Sequence, residues 1–183
     1  MDIHSALQRF VSDYVKLHET EQQPMVIQYD PQWPSPCCKT IGEANEWVNW
    51  EPVRQERNFS LSDFENALEM KIDPQLADYF TSFWSDNLNA KTQRGSLQLL
   101  MPWNADDFDR LQQNLIAHVL MKRRLEQKDT LFFAVTDEED FIISIDNESG
   151  QVVLEQVGLE PQEVLADDLV SFLNQLEPSI EAP

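Results

Sequence analysis

Apolar positions along this chain recur first with a helical period, then with the short β-rich runs of a meander, then helically again. Near the start, Ile3, Ala6, Leu7, Phe10, Val11, Tyr14 and Val15 share one face at spacings of three and four. That pattern predicts an amphipathic helix over residues 3–18 with Asp2 as its cap. From Gln22 to Asn58 the period is lost, because Pro24, Pro31, Pro34, Pro36 and Pro52 each fix φ and remove a backbone donor. This Pro- and Trp-rich region, residues 22–58, is read as extended, with short strands at Met25–Gln28 and Glu46–Trp50. Ser62 followed by Glu65 fits a capping box and predicts a helix over residues 62–70. Asp73 before Pro74 opens another, over residues 74–85, in which Leu76, Tyr79, Phe80, Phe83 and Trp84 make a wide apolar stripe.

Residues 96–101 read as a strand. After Pro102 comes the longest helical pattern, residues 105–126, with Phe108, Leu111, Leu115, Val119 and Leu125 facing inward and Lys122, Arg123 and Arg124 in its last turns. Residues 130–136, 141–145 and 151–157 follow as strands with short polar connections, which implies antiparallel pairing. A last helix over residues 166–177 carries Leu169, Phe172, Leu173 and Leu176 and stops at Pro178. Helices, then strands, then a helix give an α+β fold, a mainly antiparallel sheet packed against several helices. The chain has 183 residues, 42% of them hydrophobic, enough for one ordinary core, so residues 1–183 are read as a single domain.

Charge narrows the functional classes. Thirteen basic and 33 acidic residues leave a formal net charge of −20 at pH 7. Such a surface repels phosphate backbones and anionic lipid and attracts Lys- and Arg-rich protein segments. Nucleic acid and direct lipid binding are therefore not expected. The N-terminal residues lack the basic head and continuous apolar run of a signal peptide, and no window approaches the ~18 apolar residues of a spanning helix. A cytoplasmic location is the expectation. Cys37 and Cys38 are adjacent, an arrangement unsuited to a mutual disulfide and too tight to supply spaced zinc ligands.

Chemistry is harder to place. His4, His18 and His118 are far apart, and His118 falls near the apolar stripe of the long helix, where a core or boundary histidine is the simpler reading. No Ser/His or Cys/His pairing suggests itself, and the four glycines form no phosphate-cradling loop. The expectation is a protein that is not an enzyme and that holds no metal and no cofactor. What remains are acids beside aromatics. In WNADDFDRLQQ, Asp106, Asp107 and Asp109 sit at the start of the long helix, where facing the positive end of its dipole suffices to explain them. Trp103 beside them is not explained that way. Trp84 with Asp86 makes a second such cluster, and Asp137, Glu138, Glu139 and Asp140 a third, between two strands and without the alternating spacing calcium needs. These ten residues are the candidate partner-binding surface. Tryptophans are more often core than interface, and Trp33, Trp47 and Trp50 complete the set, but amphipathic aromatics beside acids suit a groove for basic peptides.

The runs FDRLQQNLIAHVLMKRRL (Phe108–Leu125), WPSPC (Trp33–Cys37), TLFFAV and LADDLVSFLNQLEP (Leu165–Pro178) resemble the Syd family of SecY-interacting proteins. The resemblance covers most of the chain and is poor over Gln22–Asp30 and Gln55–Leu61. It implies an α+β fold related to the SMI1/KNR4-like superfamily, no catalytic activity, and a cytosolic protein held loosely at the inner membrane by SecY. There it would act on excess or improperly assembled translocon, through an acidic concave surface facing the basic cytoplasmic loops of SecY. Such loops are enriched in Lys and Arg, so steering by charge fits the same partner. Two rivals share the acidic logic: a toxin-immunity protein neutralising a basic toxin domain, and an acidic DNA mimic.

Overall fold

The computed structural model describes residues 1–56 and 60–183. Helix α1 (Ile3–Thr20) forms as its pattern requires: Asp2 accepts a 2.7 Å bond from Ser5 N–H, and Ile3, Ala6, Leu7, Phe10, Val11 and Tyr14 are buried. Strands β1 (Val26–Gln28) and β2 (Trp47–Asn49) pair as a small antiparallel flap inside the Pro-rich region. The last two residues of that region, Arg57 and Asn58, lie outside the described residues.

Three predicted elements change at their ends, each for a local reason. Helix α2 runs Ser62–Leu68, but its cap position is Leu61, which makes no side-chain cap. The capping box is not formed, because Glu65 instead accepts the N–H of Ile72 across the following turn. Helix α3 (Pro74–Phe80) stops five residues short of the predicted end. The Thr81 and Ser82 hydroxyls donate to the carbonyls of Ala77 and Asp78, and Gln55 Nε2 donates to those of Phe80 and Phe83. The chain then enters β4 (Phe83–Trp84), paired with β3 (Val53–Arg54). At the C-terminus the helix α5 is only Leu169–Gln175, capped by Asp168, which accepts from Ser171 N–H at 2.7 Å. Residues 163–166 are taken by strand β10 (Glu163–Ala166), and Glu177–Pro178 form β11.

The main sheet has seven strands in the order β10-β9-β8-β7-β6-β5-β11, with β5 Leu88–Thr92, β6 Gly95–Leu99, β7 Thr130–Thr136, β8 Phe141–Asp146 and β9 Val152–Gln156. Every pairing in it is antiparallel. Helix α4 (Ala105–Arg124) is inserted between β6 and β7. Helix α5 carries the chain from one sheet edge to the other, where β11 pairs with β5.

Successive side chains of a strand face opposite ways, and β7 shows which helices lie where. The Phe132 ring meets His118 of α4 at 5.3 Å, whereas Phe133 meets Tyr79 of α3 at 5.4 Å and Phe172 of α5 at 5.8 Å. The sheet thus lies between α4 and a layer of α1, α3 and α5, with a buried core on both faces. It is also strongly curled. Arg94, at the β5–β6 turn, is ion-paired with Glu163 of β10, although a flat sheet would hold those strands roughly 19 Å apart.

Candidate functional site

The start of α4 is built by its neighbours. Asn104 is the cap: its Oδ1 accepts from Asp107 N–H at 2.7 Å. Asp107 reaches back, its Oδ2 accepting from Trp103 N–H at 2.8 Å. Two orphan donors are satisfied reciprocally, as in a capping box. The aspartates therefore do not themselves cap the helix by side-chain bonds to its first turn; Asp106 and Asp107 occupy that turn and Asp109 lies beyond it.

The WPSPC segment is fastened to this same point. Ser35 Oγ donates to the Trp103 carbonyl at 2.6 Å, Asn104 Nδ2 donates to that of Pro34 at 3.0 Å, and the Trp50 and Trp103 rings meet edge-on at 5.8 Å. From the other side, Ser85 N–H donates to the Pro102 carbonyl and Met101 N–H to Asn87 Oδ1, both at 3.0 Å. The Asp86–Asn87 turn is thereby held beside the helix start.

These ties close a concavity of about 350 Å³ lined by Ile27, Trp33, Asp86, Trp103, Asp107 and Arg110, among others, with Phe132 on the sheet side. Two carboxylates enter it. Asp86 is exposed in surface area, yet the protein mass around it pushes its carboxyl above the ordinary value, with Asp107 adding like-charge repulsion and the Asn87 N–H partly offsetting both. Among the described residues the single cation of the lining is Arg110. Its Nη2 lies 2.8 Å from Asp107 Oδ1 and its guanidinium carbon 5.5 Å from the centre of the Trp33 ring.

The ten sequence candidates separate accordingly. Asp86, Trp103 and Asp107 converge on this concavity. Trp103 is only 8% exposed, so it shapes the wall more than it offers a surface. Trp84, also 8% exposed, sits on β4 and is not among the lining residues. Asp106 and Asp109 are exposed on α4 outside the lining. Asp137, Glu138, Glu139 and Asp140 form the exposed β7–β8 turn, ordered by Thr136 Oγ1, which accepts from Glu138 N–H at 3.1 Å. Asp137 and Glu138 line a different and larger cavity, about 730 Å³, within the curl of the sheet beside Leu97, Ile143 and Phe172. Trp33 was foreseen only as one of several tryptophans, and Arg110 was not foreseen. The Asp107–Arg110 spacing of three on a helix was the available signal.

Other titratable groups are brought together elsewhere. Lys122 and Glu155, both fully buried, pair at 3.1 Å, and Lys122 also donates to the Leu159 carbonyl. His118 bonds Thr130 Oγ1 at 3.0 Å, and burial lowers its pKa, with Glu155 raising and Lys122 lowering it further. A Ser/His contact that the sequence did not suggest also exists: Ser82 Oγ lies 2.6 Å from His4 Nδ1. That hydroxyl donates to the Asp78 carbonyl at 2.5 Å, so its oxygen is an acceptor towards the ring and the contact ties α1 to α3. Both cysteines are free, and burial pushes the Cys37 thiol up to about 12. Among the described residues no group of three or more His, Cys, Asp or Glu is arranged for a metal, and no helix is long and apolar enough to cross a membrane.

Three of the segments that carried the family resemblance supply Trp33, Arg110 and Phe132 to the concavity, and comparison with known proteins agrees over nearly the whole chain. The family described as Syd protein (SUKH-2) matches residues 4–178. A protein named Protein Syd from Alteromonas mediterranea is 46% identical over 178 residues, 97% of each chain. Its namesake from Pseudoalteromonas atlantica is 42% identical over 179 residues, covering 97% of this chain and 96% of the relative. One from Aliivibrio fischeri is 32% identical over 183 residues, covering 100% and 99%. With matches that leave only a few terminal residues uncovered and identities well above the level of shared fold alone, this chain belongs to the Syd family.

Proposed function

We propose that this protein is a non-catalytic acidic binding protein whose partner is SecY, and that the concavity at the start of α4 receives Lys- or Arg-bearing side chains of SecY's cytoplasmic loops. One observation carries the reading: Asp86 and Asp107 converge with Trp33 and Trp103 on one concavity from separate segments of the chain. The chain's net charge of −20 supplies the long-range field. The family name supports SecY as partner. Carboxylates at an indole-lined rim bind cations by charge and by ring quadrupole together, and a strongly acidic body steers a basic loop towards them.

The same charge disfavours anionic lipid, so attachment to the cytoplasmic face of the inner membrane would run through SecY. Association of that kind lets the protein sense SecY that is in excess or improperly assembled, because loops occupied in a complete translocon are not free to bind. The exposed acids Asp106, Asp109, Asp137, Glu138, Glu139 and Asp140 act in this reading through steering.

Flotation with anionic vesicles, with and without reconstituted SecY, tests the proposal. Binding is expected only to SecY-bearing vesicles and should weaken as salt rises. Equal binding to both vesicle types would overturn protein-mediated attachment.

A further inference from the structure

The acidic concavity is already occupied by a cation, and the cation is the chain's own. Arg110 has its guanidinium against the Trp33 ring at 5.5 Å and one nitrogen 2.8 Å from Asp107 Oδ1. A guanidinium held over an indole while bonded to a carboxylate is the arrangement an incoming arginine would seek. We propose that Arg110 is a built-in surrogate for the ligand: a guanidinium-bearing segment of the partner enters by displacing Arg110 from Trp33 and Asp107. This rests on the reading of the concavity as a cation site and adds what the site selects and how it opens.

Three features favour exchange over a permanent structural pair. The Arg110 side chain is 69% exposed, so it leaves its position without opening the fold. Its bond to Asp107 goes through one carboxylate oxygen, because the other is committed to Trp103 N–H. The acceptor thus stays fixed when Arg110 departs, still aimed by the helix cap. Finally, Asp86 lines the same concavity and makes no ion pair among the described residues, so one negative charge remains uncompensated while Arg110 is seated. An incoming guanidinium that takes Arg110's seat between Trp33 and Asp107 has that second carboxylate to meet. An ammonium group supplies the charge but not the several donors of a delocalised guanidinium that can meet a ring and two carboxylates together, so the site should prefer Arg to Lys.

The test uses the full chain and a small probe, N-acetyl-arginine amide, followed by NMR at the Trp33 indole N–H and the Arg110 Nε–H. Exchange predicts that both resonances shift with one dissociation constant. In Arg110→Gln, which removes the charge at an exposed position, the Trp33 shift should saturate at several-fold lower probe concentration. N-acetyl-lysine amide should bind more weakly in both proteins. No shift at Trp33, a shift at Trp33 with Arg110 unmoved, equal binding of the lysine probe, or unchanged or weaker binding in Arg110→Gln would each overturn the proposal. A second arm measures a basic SecY-loop peptide against the same two proteins. Exchange of the small probe without peptide binding would refute SecY as partner and leave the displacement mechanism standing.

Discussion

Two of the ion pairs on helix α4, one near its start and one near its end, share the helix and differ in everything else. Near its start, Asp107 and Arg110 meet on an open rim, with Arg110 largely in water. Near its end, Lys122 meets Glu155 of β9 with neither side chain exposed. Solvent screens the first pair and lets its members exchange partners, so its net worth is small. The second has no water to retreat to, and losing either member strands the other as a buried charge. The comparison teaches that the location of a pair decides its role: the rim pair is suited to binding and the buried pair holds α4 against the sheet.

Breaking the buried pair should have the largest effect. Lys122→Met is expected to cost about 3–5 kcal/mol in a urea melt, by leaving Glu155 uncompensated. Because Glu155 Oε2 lacks a partner among the described residues even now, the double change Lys122→Met with Glu155→Leu should recover most of that loss. A double variant no more stable than the single would show that the pair contributes more than mutual neutralisation.

Much of this was legible beforehand, and the boundary has a physical cause. The helix periods of α1 and α4 and the β-rich runs of β7 and β8 are local properties of the sequence, so these elements appear where their side-chain patterns place them. The strands β5 and β10, with sequences LNAKT and EVLA, were not recognised. Runs of four or five residues are too short to show a period of their own, and these are strands because a neighbouring strand pairs with them. The end of α3 likewise depends on Gln55, which is distant in sequence. In the site, Trp103 and Asp107 were visible as neighbours and Asp86 as part of a separate cluster. Their convergence depends on the bonds of Ser85 and Asn87 to Pro102 and Met101, and Trp33 joins them through Ser35 and Asn104 bonding across some 70 positions of chain, none of which a periodicity encodes. Arg110 belongs to the solvated face of a helix by pattern, and only the placement of Trp33 over it shows otherwise.

The next effect is pH-dependent and belongs to the buried region. Burial lowers the His118 pKa in the folded protein below its unfolded value near 6.5. The unfolded chain therefore binds the proton first as pH falls. Stability contributed by neutral His118 is complete above about 6.5 and is lost as pH drops from there towards the folded value. Chemical melts at successive pH values should show that decline, and His118→Gln should flatten it. A wild-type profile already flat below 6.5 would contradict the assignment.

The smallest stability changes should come from the rim. Arg110→Gln, and Asp106→Asn with Asp109→Asn, are each expected to alter stability by less than about 1 kcal/mol. Asp86→Asn should raise the melting temperature slightly, since the folded protein holds that carboxylate against burial and against Asp107. A fall in melting temperature on that substitution would mean that Asp86 supports the fold and does not stand ready for a ligand.

The central claim is that the rim charges serve binding while the buried charges serve the fold. Stopped-flow association of a basic SecY-loop peptide, across a range of salt, measures it most directly. Wild-type protein should associate fastest at low salt, with a steep decline as salt rises. Asp86→Asn combined with Asp107→Asn, shown by circular dichroism to be folded, should associate several-fold more slowly and with a shallower salt dependence. An association rate and salt slope identical to wild type in that folded variant would contradict the account.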